Sequence, residues 1–190
     1  MLKGFFGPAK EEVWRQLAAQ LQGNFVDGGF FGKDKVEVQH GDWTITLETL
    51  VVSTGKSSVV YAILQAPFHN PDNFRFSVSR RGLFTDIGKF FGMQDIQIGS
   101  PEFDHDFVIQ GNNEDKVRQL LANSTIRDLI DLQPKVHFQI KPDDGFFSRK
   151  YPVGTERLYF RNLGVIKDLD RLKNLYNLFF ATLEGLNQLG

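Results

Sequence analysis

The sequence predicts an α+β protein: a meandering antiparallel β-sheet packed by an N-terminal helix and a long C-terminal helix, with two short helices inserted. Apolar residues recur with the period of an α-helix near both ends of the chain. Between about residues 35 and 79 they alternate with polar residues instead, which is typical of half-buried strands. Short polar loops join the alternating runs and favour antiparallel neighbours. With 190 residues, the chain is expected to form a single α+β domain over residues 1–190.

The first predicted helix is marked at both of its ends. Pro8 lies at its start, and Glu11 and Glu12 occupy the first turn, where carboxylates interact favourably with the helix dipole. Gly23 follows the last turn. The apolar residues that share one helical face are Trp14, Leu17, Ala18 and Leu21.

The following strands are predicted from two-residue alternation. A hairpin is expected over residues 36–47, with its turn at 40–42. The run 59–66 is apolar on both faces, which is typical of a central strand. Residues 74–79 alternate again and predict a further strand of the meander. The residues expected to face the core are Val36, Val38, Trp43, Ile45, Leu47, Phe74, Phe76 and Val78.

Two short helices are predicted after the middle of the chain. The first begins at Glu114, after Asn112 and Asn113, whose side chains are good helix caps. Ser124 or Thr125 is expected to cap the second. Val117, Leu120 and Leu121 are expected to form the buried stripe of the first helix.

Other parts of the second half are predicted from spacing alone. Residues 83–91 have helical spacing, whereas residues 96–112 are expected to be extended. Strand alternation returns at residues 135–140, and residues 156–160 predict a further strand.

The longest helix is predicted at about residues 167–188. Its apolar seam consists of Leu169, Leu172, Tyr176, Phe179, Leu183 and Leu186. This spacing predicts that the helix packs across the sheet. The alternative is self-association through the C-terminal helix, because a partner helix uses the same kind of seam.

Phenylalanine occurs in five adjacent pairs, and four of these lie beside glycine at turns or element ends. The second ring of such a pair either covers the rim of the core or contributes to an exposed patch. Phe90 with Phe91, and Phe146 with Phe147, have nearby basic residues and form the candidate apolar contact patch. Such a patch would contact a partner protein, a lipid surface or an apolar ligand.

The best candidate for metal chemistry is the run EFDHDF at residues 102–107. Its candidate ligands are Asp104, His105 and Asp106, since carboxylates and imidazole bind divalent cations. In an extended segment, however, His105 would point away from both aspartates. No metal and no cofactor are therefore predicted. The chain has no cysteine, which excludes disulfides and thiolate sites.

No catalytic motif is present among the histidines and serines. The four histidines form no metal-binding motif, and no serine lies in a nucleophile elbow. His137 falls on the polar side of its predicted strand and is expected to be solvated or at a sheet edge. The loop STGKSS lacks the glycine pattern of a phosphate-binding loop. An enzymatic role is therefore not favoured.

Charge and hydropathy restrict the partners. The net charge is −1, so nucleic acid is not an expected partner. The longest uninterrupted aliphatic or aromatic run, residues 59–64, is much shorter than the ~20 residues that span a bilayer. A cytoplasmic location without a membrane span is predicted.

The order GMQDIQIG, EFD and FVIQGN, followed by a strand and a leucine-rich terminal helix, resembles a family of uncharacterised bacterial proteins with no assigned activity. The resemblance implies a compact bacterial protein in which Gly92, Gly99, Phe103, Phe107 and Gly111 serve backbone geometry and packing. We expect a non-enzymatic binding or protein-interaction module. The alternative is a binder of an apolar small molecule or lipid surface, through a cavity between sheet and helix or through the phenylalanine patch.

Overall fold

The computed structural model describes residues 9–29, 33–53, 55–82, 94–142, 152 and 154–189. The helices within these ranges are α1 (Lys10–Gln20), α2 (Pro101–Asp106), α3 (Glu114–Leu121), α4 (Ser124–Asp131) and α5 (Leu169–Leu189). The strands are β1 (Asn24–Val26), β2 (Lys35–His40), β3 (Trp43–Ser53), β4 (Ser58–His69), β5 (Phe76–Arg80), β6 (Gln94–Asp95), β7 (Phe107–Gly111), β8 (His137–Lys141) and β9 (Thr155–Leu163). The predicted α+β class is confirmed.

The strands form one antiparallel sheet with the order β1-β2-β3-β4-β9-β8-β5-β7-β6. Strands β1 to β4 are a meander, in which β2, β3 and β4 correspond to predicted strands and β1 is an additional strand. Strand β5 does not continue it, because β9 and β8 lie between β4 and β5. The C-terminal strand β9 therefore becomes central, and β4 pairs with β3 over residues 58–65 and with β9 over residues 62–69.

One face of the sheet forms the hydrophobic core with the helices. Leu64 and Phe160 are opposite each other on β4 and β9, and Phe138 lies opposite Phe160 on β8. All three are almost completely buried. Helix α1 is attached to this core through Trp14, whose indole N–H donates to the Ile166 carbonyl at 3.2 Å.

Helix α5 packs its seam against this face, as predicted. The four middle residues of the seam are buried and the two end residues are half-buried. Phe179 contacts Phe138 with a ring separation of 5.5 Å, and the Tyr176 hydroxyl donates to the Val36 carbonyl at 3.0 Å. Burial raises the pKa of Tyr176 above its usual range. The seam is therefore used within the chain.

Two local predictions are wrong, one about the conformation of a segment and one about a helix cap. Residues 101–106 were expected to be extended but form α2, with Pro101 in the first turn, where proline is tolerated. The cap of α4 is Asn123 rather than Ser124 or Thr125, since the Asn123 side chain accepts from the Thr125 N–H at 3.0 Å. The predicted cap of α3 is confirmed for Asn113, which accepts from the Lys116 N–H at 3.0 Å.

The cap of α4 is directly testable. Asn123→Ala should lower the free energy of unfolding by about 1 kcal/mol, because it removes the acceptor for one unsatisfied N–H of the first turn. Ser124→Ala is the matched control and should change it by less than about 0.5 kcal/mol. Urea unfolding followed by circular dichroism measures both changes. Equal losses in the two variants would contradict this assignment of the cap.

The glycines and phenylalanines of the 92–111 motif have packing roles where they are described. Gly99 has φ +81°, and a Cβ at Gly111 would lie 2.6 Å from Val117. Phe103 and Phe107 are buried and stacked at 4.3 Å. Gly92 is outside the described residues.

No helix in the described ranges has the length and apolar character needed to cross a membrane.

Candidate interaction surface

The β3–β4 hairpin projects beyond the strands on either side of it. Strand β2 begins at Lys35, which lies opposite Glu48, and the β4–β9 ladder reaches no further than Ala62 opposite Asn162. Residues 49–53 pair with residues 58–62, and the one further bridge to residues 49–53 or 58–61 within the described part of the chain joins Tyr61 to Gly164. We call residues 49–53 and 58–61 the arm.

The arm carries three of the six exposed large apolar side chains among the described residues. Val51 is 52% exposed, Val52 40% and Val60 36%, and Leu163 beside the arm is 58% exposed. The other exposed large apolar side chains, Val26 and Leu132, are on β1 and on the C-terminal side of α4. Isolated exposed apolar residues are ordinary, whereas a cluster marks a contact surface.

Both faces of the arm are apolar. Val51 and Val60 are directly paired and point to the same side of the sheet as the core residues of β3 and β4. On the opposite face, Leu50 lies opposite Tyr61, with Val52 opposite Val59 in the next row. The Arg161 guanidinium lies 5.1 Å from the Tyr61 ring centre. A partner on either face, or at the edge, would meet aliphatic side chains.

The outer backbone edge of the arm can be assigned from its hydrogen bonds. The Ala62 N–H donates to the Gly164 carbonyl at 3.0 Å, and the Gly164 N–H donates to the Val60 carbonyl at 2.8 Å. The backbone N–H and C=O groups of even-numbered residues in this part of β4 thus point towards β9. Those of odd-numbered residues point towards β3. By the strand register, the backbone groups of Thr49, Val51 and Ser53 point away from β4.

The predicted phenylalanine patch lies outside the described part of the chain. This applies to Phe90, Phe91, Phe146 and Phe147. Only one complete pair is described, on α5: Phe179 is buried, and Phe180 is half-buried. The Phe180 ring stacks on His40 at 4.3 Å, and the His40 ring also contacts Glu184 at 2.8 Å. The second ring of this pair therefore covers the rim of the core.

The proposed metal ligands serve local structure. The Asp104 carboxylate accepts from the N–H of Ile98 at 2.9 Å and of Gly99 at 3.0 Å, which holds the turn before α2. His105 Nδ1 contacts Asp106 Oδ1 at 2.8 Å on the exposed side of the helix. Within the described ranges, no three aspartate, glutamate, histidine or cysteine side chains are arranged to hold a metal ion.

The prediction for His137 is wrong. Strand β8 lies inside the sheet, between β9 and β5, and His137 is only 8% exposed. Its Nδ1 is 2.9 Å from the Ser79 hydroxyl on β5, and its Nε2 is 2.9 Å from the Gln139 amide nitrogen. These side chains point away from the core, so the second face of the sheet carries a buried polar layer.

This serine–histidine pair is poorly suited to catalysis. A general base must accept a proton, yet burial, together with the nearby positive charge of Arg161, lowers the pKa of His137 to about 4. Ser79 is 1% exposed, so a substrate would not reach its hydroxyl. The pair instead satisfies buried polar groups within the sheet.

A groove at the end of α5 was the other candidate site. It has a volume of about 420 Å³ and lies between the β2–β3 turn, the end of β4 and the last turns of α5. Leu183 and Leu186 line it together with polar Asp42, His69 and Asn187. This mixed, open lining differs from the largely apolar enclosure that small-molecule sites use.

The arm is recognised from the strand lengths in the structure rather than from the sequence. Strands β3 and β4 have 11 and 12 residues, whereas β2 has six, so β2 does not extend along the whole of β3. Comparisons with known protein families, with curated proteins and with solved structures found no match. Any function is therefore argued from the arm itself.

Proposed function

We propose that this protein is a non-enzymatic interaction module that binds another polypeptide through the β3–β4 arm. The observation that supports the proposal is the exposure of aliphatic side chains on both faces of a projecting hairpin: Val51 and Val60 on one face, and Val52 on the other, with Leu163 of β9 beside the arm. Burying such aliphatic surface is worth about 25 cal/mol per Å² before the costs of association. Binding of a partner polypeptide would remove these aliphatic side chains from water.

Two features favour a polypeptide over an apolar small molecule or a lipid surface. The groove beside α5 has a partly polar lining, which disfavours an apolar ligand there. The tip of the arm contains Lys56 and several serines. Inserting the arm into a bilayer would bury this polar tip first, at a free-energy cost. A strand or groove on a partner protein can instead contact the sides of the arm.

Site-specific photocrosslinking tests this function. A benzoylphenylalanine at Val52 should form covalent adducts with a partner in the cells that naturally produce the protein. The same probe at Leu132, which is 58% exposed but lies away from the arm, is the matched control. Adducts at position 52 and not at 132 are expected. Equal or absent adduct formation at the two positions would contradict an interaction function for the arm.

A further inference from the structure

Arg161 on β9 differs from the other arginines of the described ranges. Every other arginine in those ranges donates a hydrogen bond to the protein or forms an ion pair with a carboxylate. The Arg161 guanidinium does neither with any residue of the described ranges, and it lies 5.1 Å from the centre of the Tyr61 ring. The side chain is half-buried. Since removing a charge from water is costly unless it is paired, this guanidinium still needs an acceptor.

Glu48 is the acidic side chain that the strand register brings towards Arg161, and it already has a partner. Arg161 lies opposite Ile63 of β4, and Ile63 lies opposite Glu48 of β3, so two strand spacings, about 10 Å, separate the two backbones. The Glu48 carboxylate accepts from the Gln65 amide at 2.6 Å. Burial and the nearby charge of Arg161 both lower the pKa of His137, as expected of a positive charge without a counter-ion.

Apolar side chains of the arm and of β9 lie beside this guanidinium. Strand alternation places Leu163, which is 58% exposed, on the same face as Arg161, two residues further along β9. Tyr61 lies opposite Leu50, and Val52, which is 40% exposed, follows in the next row of that face. Tyrosine and arginine are enriched among the residues that contribute most to protein–protein binding. A charged group thus lies at the border of an exposed aliphatic surface.

We infer that the partner polypeptide places an aspartate or glutamate carboxylate on Arg161 and aliphatic side chains on Val52 and Leu163. This inference rests on the proposed interaction function and specifies the chemistry of the partner. The planar guanidinium can donate two parallel hydrogen bonds to one carboxylate, and they strengthen when aliphatic groups exclude water. A phosphate group carries about −1.5 to −2 charges, so a single guanidinium balances a carboxylate more closely.

A displayed library of random short peptides tests the partner chemistry. Peptides are selected on the wild-type chain, and those that also bind Val52→Lys are removed, so that peptides bound to the arm remain. We expect the retained peptides to contain aspartate or glutamate beside valine, isoleucine or leucine. Retained peptides without a preference for an acidic residue would overturn the inference, and so would a selection that retains no peptide.

A double-mutant cycle with a retained peptide locates the carboxylate. Replacing the acidic residue of the peptide by its amide should raise the Kd for the wild-type chain at least about 10-fold. Arg161→Gln should raise the Kd to a similar extent, and the peptide change should then have little further effect. Arg118→Gln is the matched control, because Arg118 pairs with Glu114 on the exposed side of α3, and it should leave the Kd unchanged. Fluorescence anisotropy measures Kd, and circular dichroism verifies that each variant is folded.

Two results of this cycle would contradict the inference. Losses that simply add would show that the peptide carboxylate does not contact Arg161. A peptide with phosphoserine in place of the acidic residue that binds more tightly would overturn the choice of a carboxylate. The peptide change on the wild-type chain requires no protein variant, so a folding defect in Arg161→Gln does not affect that measurement.

Photocrosslinking in cells separates this inference from the proposed function. The probe at Val52 is combined with Arg161→Gln or with Arg118→Gln. Loss of adducts with Arg161→Gln alone supports the inference. Adducts that persist in both variants overturn the acidic partner, while the interaction function stands. If the chain with no second substitution forms no adducts, the interaction function fails and this inference fails with it.

Discussion

Phe179→Ala should lower the free energy of unfolding by about 3–5 kcal/mol, the range observed when a buried aromatic ring is removed. Phe179 lies in the middle of α5, is fully buried, and contacts Phe138 of the central strand β8. Because the sheet and the helix are both regular at this point, neighbouring side chains cannot move far enough to fill the space. Urea or thermal unfolding measures the loss.

The adjacent residue provides the control for this prediction. Phe180→Ala should cost only about 1–2 kcal/mol, since the ring is half-buried and its main contact is the stack on His40. The two variants remove the same side chain from neighbouring positions of the same helix. Equal losses would show that α5 does not use the two rings differently, contrary to the packing described above.

Acid should destabilise the protein through His137 between about pH 6.5 and pH 4. Burial lowers the pKa of this imidazole to about 4 in the folded state, compared with 6.5 for an ordinary histidine. In that range the unfolded chain binds more protons than the folded chain, so stability falls as the pH falls. The contribution is fully present above pH 6.5 and decreases by about 3 kcal/mol by pH 4.

The variant His137→Gln isolates this effect. Glutamine does not titrate, so the free energy of unfolding of the variant should change less between pH 7 and pH 4 than that of the wild type. Lys141 lies on the same face of β8 as His137, and Arg161 is the cationic neighbour that lowers its pKa. The same pH slope in both proteins would contradict the assignment to His137.

The local elements were predictable because their signals are local. Trp14, Leu17 and Ala18 lie on one face of α1, and all three are buried as their spacing predicts. The hairpin turn at 40–42 and the alternation around it correspond to β2 and β3. Hydrophobic periodicity reports which face of an element meets the core, irrespective of the element on the other side.

The polar layer was not predictable from the same signals. His137 alternates with Val136 and Phe138, so its strand has the pattern of one with a solvated face. That face is instead buried because β8 lies between two other strands and its polar groups find partners there. Ser79, its hydrogen-bond partner, is 58 positions away in the chain. Alternation identifies the two faces of a strand but not whether the polar face is covered.

The arm was missed for a related reason. Val60 lies in the run predicted as a central strand, whereas Val51 and Val52 follow the hairpin predicted over residues 36–47 and belong to no predicted element. Their exposure follows from the ends of other strands: β2 begins opposite Glu48, and the β9 ladder stops at Ala62. The candidate metal ligands also differ from the expectation. Asp104 lies in α2 rather than in an extended segment, and its carboxylate accepts a hydrogen bond from the turn before that helix.

The order of residues along the chain was sufficient to establish the α+β class, the terminal helices and the seam of α5, because each depends on neighbours within a few positions. Tertiary structure decided the position of β9 beside β4, the burial of His137 and the projection of the arm. These depend on pairings between distant segments, such as Gln65 with Arg157, 92 positions apart. Strand length and register determine where one strand extends beyond its neighbour. Both are set only when those distant segments pair in the folded sheet.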